Sequence, residues 1–214
     1  MKTLLYKQLR LACHPMTPVF CLSGIMLLIP NYPYSVAFFY VTLGLFFTFL
    51  NMREQKDIYY SALLPLRKRD TVRAAVAFTV LVELLSVVIT ALFCLLSAKL
   101  QPGKDNAVGM DANLMLLGAG FVFYGVFNLV FFACLYRSGY KVGAAYLKAN
   151  LALWPMMLLA EALPHFPALM WLNRVDTQAN LRQIPILLFG IAVFAVLTML
   201  AYRRSARLYE RVDL

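Results

Sequence analysis

Long apolar runs separated by short polar stretches set the pattern of this chain. The runs fall at about 15–30, 35–52, 72–98, 113–136, 144–163 and 184–202. A helix that crosses a bilayer needs roughly 20 predominantly apolar residues. The pattern therefore predicts an all-α membrane protein with about six transmembrane helices, organised as a single transmembrane domain over residues 1–214. The first span, between Pro15 and Pro30, is short. Ahead of it, Leu4, Leu5, Leu9 and Ala12 recur at helical spacing, with Lys2, Lys7 and Arg10 on the other side. That arrangement predicts a short basic amphipathic helix lying at the membrane surface.

The connections differ in character. Asn31–Tyr34 is a tight turn, 53–71 is dense in charge, and Lys99–Ala112 is a loop containing Pro102 and Gly103. Arg137–Gly143 is a short turn. Pro164–Gln183 is long and semi-polar, with Pro164, Pro167 and Trp171, and reads as re-entrant or interfacial. A basic tail follows from Arg203. The run Val19–Ile29 has a basic flank but no small-residue cleavage pattern, so it is expected to be a retained span and not a signal peptide.

Composition agrees with the pattern. Hydrophobic residues make up 62% and charged residues 14%, against about 45–50% and 25% in soluble domains. Six spans and their connections use these residues up, so no separate soluble catalytic domain is expected among them. The net charge of +10 raises nucleic acid as a partner, but the placement of the charge argues for lipid. All but four of the 20 Lys and Arg flank one set of connections, and the other set holds only Lys99, Lys104, Arg174 and Arg182. By the positive-inside rule the rich set, with both termini, is cytoplasmic. Anionic lipid accounts for the excess, and no nucleic acid is expected.

Chemistry inside the membrane is sparse. Cys13, Cys21, Cys94 and Cys134 show no metal-ligand spacing, and His14 and His165 are expected on opposite sides, so no metal site is expected. Neither HExxH, GxSxG nor a cluster of acids is present, which argues against an intramembrane enzyme. Neither is the phosphate-binding GxxxxGK[ST] loop, so the chain is not expected to hydrolyse ATP itself.

One ionisable residue, Glu83, sits in the middle of span three, where such a group is a functional candidate by default. It belongs to a stripe of Ala75, Thr79, Glu83, Ser86, Thr90, Cys94 and Ser97 at helical spacing, which should face protein or a water-filled cavity. Gly120, Tyr124 and Asn128 form a weaker companion face on span four, with Asn128 a candidate partner for Glu83. Two readings stay open: a pathway lining and a packing seam. Glu161, near the far end of span five, reads as interfacial.

The segment 53–71 begins with Arg53, Glu54, Lys56 and Asp57, presents Ile58, Tyr59, Tyr60, Ala62, Leu63 and Leu64, breaks at Pro65, and continues with Arg67, Lys68, Arg69 and Asp70. Such a segment suits docking into a groove on a partner, or resting on lipid headgroups.

This segment resembles the permease subunits of ABC-2 type exporters, in particular the small bacterial ones. In that group the second span is followed by Glu, a nearby Asp, Ser, Leu-Pro and a basic residue, and Glu54, Asp57, Ser61, Leu64, Pro65 and Arg67 stand in those places. Tyr136, Gly139, Tyr140 and Lys141 match the family's turn after span four, and Ser205, Tyr209, Arg211 and Asp213 resemble its ending. Val72, Arg73, Ala74 and Ala75 depart from the family's Gly-containing start of span three.

The resemblance implies an ABC-2 type (type V) exporter-like fold in a bacterial cell membrane, with an N-terminal interfacial helix and short outer re-entrant helices at Pro164–Gln183. It implies that 53–71 is a coupling segment contacting an ABC ATPase through Glu54, Asp57, Ser61, Leu64, Pro65, Arg67, Gly139, Tyr140 and Lys141. It implies a second permease copy or paralogue as partner, ATP and Mg on the ATPase with no cofactor in this chain, and outward movement of a peptide, antibiotic or other amphipathic molecule. The alternative is a non-transporting membrane protein, an assembly or immunity factor, that binds a cytoplasmic partner.

Overall fold

The computed structural model describes residues 2–100, 106–175 and 177–211. Pro102, Gly103 and Lys104 of the expected loop, and Asp213 of the tail, lie outside them. The elements are helical: α1 (Lys2–Lys7), α2 (Met16–Cys21), α3 (Val36–Glu54), α4 (Asp57–Leu63), α5 (Lys68–Leu100), α6 (Leu114–Arg137), α7 (Val142–Ala162) and α8 (Thr177–Glu210). Among the described residues, five helices are long and apolar enough to cross a membrane, and a bent N-terminal pair gives up to a sixth.

That pair shows how the short first run is used. Thr3–Ala12 and Met16–Leu28 meet at 94°. α1 passes into a π-helical turn at Gln8–Ala12, and α2 passes into a 3₁₀ segment at Leu22–Leu28. A 3₁₀ helix rises about 2.0 Å per residue against 1.5 Å for an α-helix, so 13 residues reach roughly 23 Å. This is still short of a hydrocarbon core of about 30 Å. Neighbours hold the short segment in place: Thr17 Oγ1 donates to Gly44 O at 2.7 Å, and Ser23 Oγ donates to Ala37 O at 2.7 Å.

The helices alternate in direction. The ends of α3, α6 and α8 and the starts of α5 and α7 gather at one end, called here the basic end. α6 is the axis, with 61% of its apolar window buried, while α8 buries 17% of its own and lies on the outside. The seam between them is close because two glycines meet. A Cβ on Gly190 would overlap the backbone of Gly118, and one on Gly118 would fall 3.1 Å from Ile186 O. Small residues of this kind let membrane helices approach backbone to backbone.

Two helices are longer than their apolar runs. α5 begins at Lys68 where the run begins at 72, and α8 spans 177–210 where the run spans 184–202. Charged residues change a helix's surroundings without ending it, and Pro185, eight residues in, does not break it. Between α7 and α8 the semi-polar stretch forms two 3₁₀ segments, Leu163–His165 and Pro167–Asn173.

The α6–α8 seam yields a paired test. Gly190→Ala is expected to destabilise by about 1–3 kcal/mol through overpacking. Gly143→Ala, in α7 with nothing within 4 Å of the new Cβ, should stabilise by about 0.4–1 kcal/mol. Unfolding titrations in mixed micelles measure both.

Candidate functional site

At the basic end the chain leaves α3, turns and starts α4. Gln55 and Lys56 donate back to the last carbonyls of α3, and Lys56 takes a left-handed conformation (φ 54°) that reverses the chain. α4 is only seven residues long, too short to be stable alone, and is held by α1. Lys7 Nζ lies 2.5 Å from Asp57 Oδ1 and donates to Ser61 Oγ at 2.9 Å. Both members of the ion pair are mostly shielded, at 27% and 17% side-chain exposure, so water screens the pair less than a surface pair. Gln8, with its amide turned so that nitrogen faces Ala74 O at 2.7 Å, ties the same segment to α5.

The outward side of this region is apolar. Tyr59, Tyr60, Leu63 and Leu64 are 55%, 66%, 84% and 51% exposed. Glu54, Pro65 and Arg67 are exposed near them in sequence, and Gly139 and Lys141 are exposed in and just after the turn that follows α6, whereas Ser61 and Tyr140 turn inward. An exposed patch of large apolar side chains rimmed by charge marks a protein or membrane contact.

Gly139 and Tyr140 explain the inward turn. Both are left-handed (φ 63° and 68°), and Tyr140 N donates to Leu135 O. Glycine adopts this conformation readily, and the pair rotates Tyr140 into the protein beside Tyr136, ring centroids 6.0 Å apart. Burial, with smaller contributions from Tyr136 and Asp57, holds the Tyr140 phenol well above the ordinary tyrosine range, so it stays neutral. Tyr209 of α8 completes the cluster, 5.1 Å from Tyr136 and under Lys68, and Arg69 Nε donates to Glu210 Oε1.

The polar stripe of α5 is enclosed. Thr79, Glu83, Ser86 and Thr90 are each at most 2% exposed, and Cys94 and Ser97 are also buried. On one side, Asn128 Nδ2 donates to Glu83 Oε2 at 2.9 Å and to Thr198 Oγ1 at 3.2 Å, joining α5, α6 and α8. Ser86 and Tyr124 share a hydrogen bond of 2.8 Å. On the other side, Ser97 Oγ donates to Leu27 O at 3.1 Å, and Gly24 packs against the Thr90 backbone. The stripe is thus enclosed between helices, with Thr79 Oγ1, Glu83 Oε1 and Asn128 Oδ1 lacking a hydrogen-bond partner among the described residues.

Glu161, read as interfacial, lies in the last turn of α7 and is enclosed by the loops at that end. It is 9% exposed and accepts from Ser35 N at 2.8 Å and Met110 N at 2.7 Å. Its carboxylate lies at the N-terminus of α3, where unpaired N–H groups and the helix dipole favour negative charge. Around it a network closes this end. Asp111 Oδ1 accepts from Asn106 N, Asn113 Nδ2 donates to Leu172 O, and Gln183 donates to Leu172 O and Arg174 O. The sequence gives no sign of these pairings, because most of them join a side chain to backbone. Lys7 also escaped the sequence reading, since nothing along the chain pairs residue 7 with residue 57.

Two tests follow. In the Glu83→Gln, Asn128→Leu double-mutant cycle, a packing seam predicts a coupling of about 0.6–1.7 kcal/mol in unfolding free energy. Glu161→Gln keeps one acceptor oxygen and strands one backbone N–H, a loss of about 1–3 kcal/mol, and hydrogen exchange should rise selectively at Ser35 and Met110.

No curated protein and no solved structure significantly matches the chain. The family model described as "ABC-2 family transporter protein" matches residues 3–210, taking in the bent N-terminal pair, the basic-end segment and α8. The chain belongs to the ABC-2 transporter family, as a membrane-embedded permease subunit of an ABC transporter.

Proposed function

We propose that the chain moves an amphipathic substrate, such as a peptide or antibiotic, outward across the bacterial cell membrane. The basic end faces the cytoplasm and the segment 53–71 couples to a separate ABC ATPase. The observation that carries this reading is the exposed patch Tyr59, Tyr60, Leu63 and Leu64, on and just after a short helix that Lys7 braces from behind. A patch meant for lipid alone needs no bracing, whereas one that transmits force does.

The residues divide by role. Glu54, Leu64, Pro65, Arg67, Gly139 and Lys141 are exposed and make the contact. Asp57, Ser61 and Tyr140 position the contact surface from within. ATP and Mg bind on the ATPase subunits, and their closing displaces α4 and, through it, α3 and α5. A ligand shifts such an equilibrium only by its different affinity for the two states, so the ATPase must grip this surface more tightly in one state. A second permease, identical or related, completes the transporter.

The experiment is reconstitution of the permease with its ABC ATPase. Leu64→Asp should weaken capture of the ATPase by on the order of tenfold, as loss of a central apolar anchor does, without changing membrane insertion. Asp57→Lys should lower the stimulated ATPase rate, and Lys7→Asp in the same chain should restore part of it. Normal capture by Leu64→Asp together with normal stimulation in Asp57→Lys would refute the assignment.

A further inference from the structure

Where α6, α7 and α8 meet on the outside of the bundle, a groove of about 230 Å³ lies toward the end opposite the basic end. Gly118, Ala119 and Val122 line it from α6, Met156 and Leu159 from α7, and Ile186 and Phe189 from α8. Every lining side chain is apolar, and in a membrane-embedded chain the groove opens to hydrocarbon. Pockets that enclose drug-sized ligands run about 300–1,000 Å³ and carry polar groups that orient them. This groove is smaller and has none. It follows α6 from Met115 to Phe123, eight residues or about 12 Å. That is most of the roughly 15 Å depth of one leaflet in a core of about 30 Å. Both dimensions fit one acyl chain lying along the helices.

Arg182 gives the occupant a sign. It stands on α8 four residues before Ile186 and seven before Phe189, spacings that keep the three on one helix face. Its Cα lies about 6 Å beyond that of Ile186 along the axis. The apolar run of α8 begins two residues later, at Ile184, so Arg182 is at headgroup depth. It is exposed, and among the described residues no Asp or Glu forms an ion pair with it.

We propose that this groove is a lipid site that holds one acyl chain of an anionic phospholipid, with the lipid phosphate at Arg182. The site depends on the chain being embedded in a membrane and not on the direction of transport or on the ATPase contact.

The test is native mass spectrometry of the full permease, in complex with its ATPase if the two purify together. The protein is stripped of lipid and titrated with phosphatidylglycerol and phosphatidylcholine of the same chain length. The wild type should retain one phosphatidylglycerol about fivefold more readily than phosphatidylcholine, the contribution of one basic residue near the surface. Arg182→Gln should bring the two lipids level without abolishing binding, and Ala119→Phe, which fills the groove floor, should remove both. Because Arg182 is exposed, its variant decides the question even if Ala119→Phe fails to fold. An unchanged preference in Arg182→Gln overturns the proposal, as does undiminished binding in a folded Ala119→Phe. Native protein found to carry a non-phospholipid amphiphile in the groove would instead make it a cargo site and overturn the lipid assignment.

Discussion

A hydrocarbon core offers no hydrogen-bond partner, so polar groups placed in it must be paired within the protein. Most features of this molecule answer that constraint. The backbone answers it with helices. Buried side chains answer it in part across helices: Asn128 bridges Glu83 and Thr198, Ser86 meets Tyr124, and Ser97 reaches the carbonyl of Leu27, while Thr79 Oγ1, Glu83 Oε1 and Asn128 Oδ1 have no hydrogen-bond partner among the described residues. The first apolar run is too short to span as a single α-helix. It is kept within the bundle by Thr17 and Ser23, whose hydroxyls bond to carbonyls of α3.

The two ends of the bundle solve different problems. Opposite the basic end, Glu161, Asn106, Asn113 and Gln183 bond largely to backbone atoms and knit the loops into a closed cap. At the basic end the links run between side chains of separate helices: Lys7 with Asp57, Arg69 with Glu210, and Tyr136 with Tyr209. Backbone-directed bonds fix loops in one place. Side-chain links join helices that can still move as units, as the proposed contact with an ATPase would require. α3 connects the two ends, starting at the Glu161 carboxylate and finishing at the turn into α4.

What the sequence reveals follows from the range of each interaction. Glu83 and its stripe are legible because residues three and four apart share a helix face, and that face is buried. Asn128 is legible as a partner for the same reason on the next helix. The α4 segment is legible from its charges, apolar patch and Pro65. The Lys7–Asp57 pair joins positions 50 residues apart in sequence and leaves no local pattern. Glu161 looks like any acid near a helix end, because its partners are the N–H groups of Ser35 and Met110, which every sequence possesses. The added turns of α5 and α8 were hidden because a hydropathy run marks where a helix is apolar, not where it stops. The inward turn of Tyr140 depends on two consecutive left-handed residues, of which only Gly139 announces itself.

The central claim is that the patch beside Pro65 meets an ABC ATPase. Its most direct measurement is photocrosslinking in native membranes, with the crosslinking amino acid placed at Leu64 or, at the opposite end, at Val108, which is also exposed. The account predicts that position 64 captures a nucleotide-binding ATPase and that position 108 does not. Capture of the ATPase from position 108, or capture from position 64 of only lipid or a partner that binds no nucleotide, would contradict it.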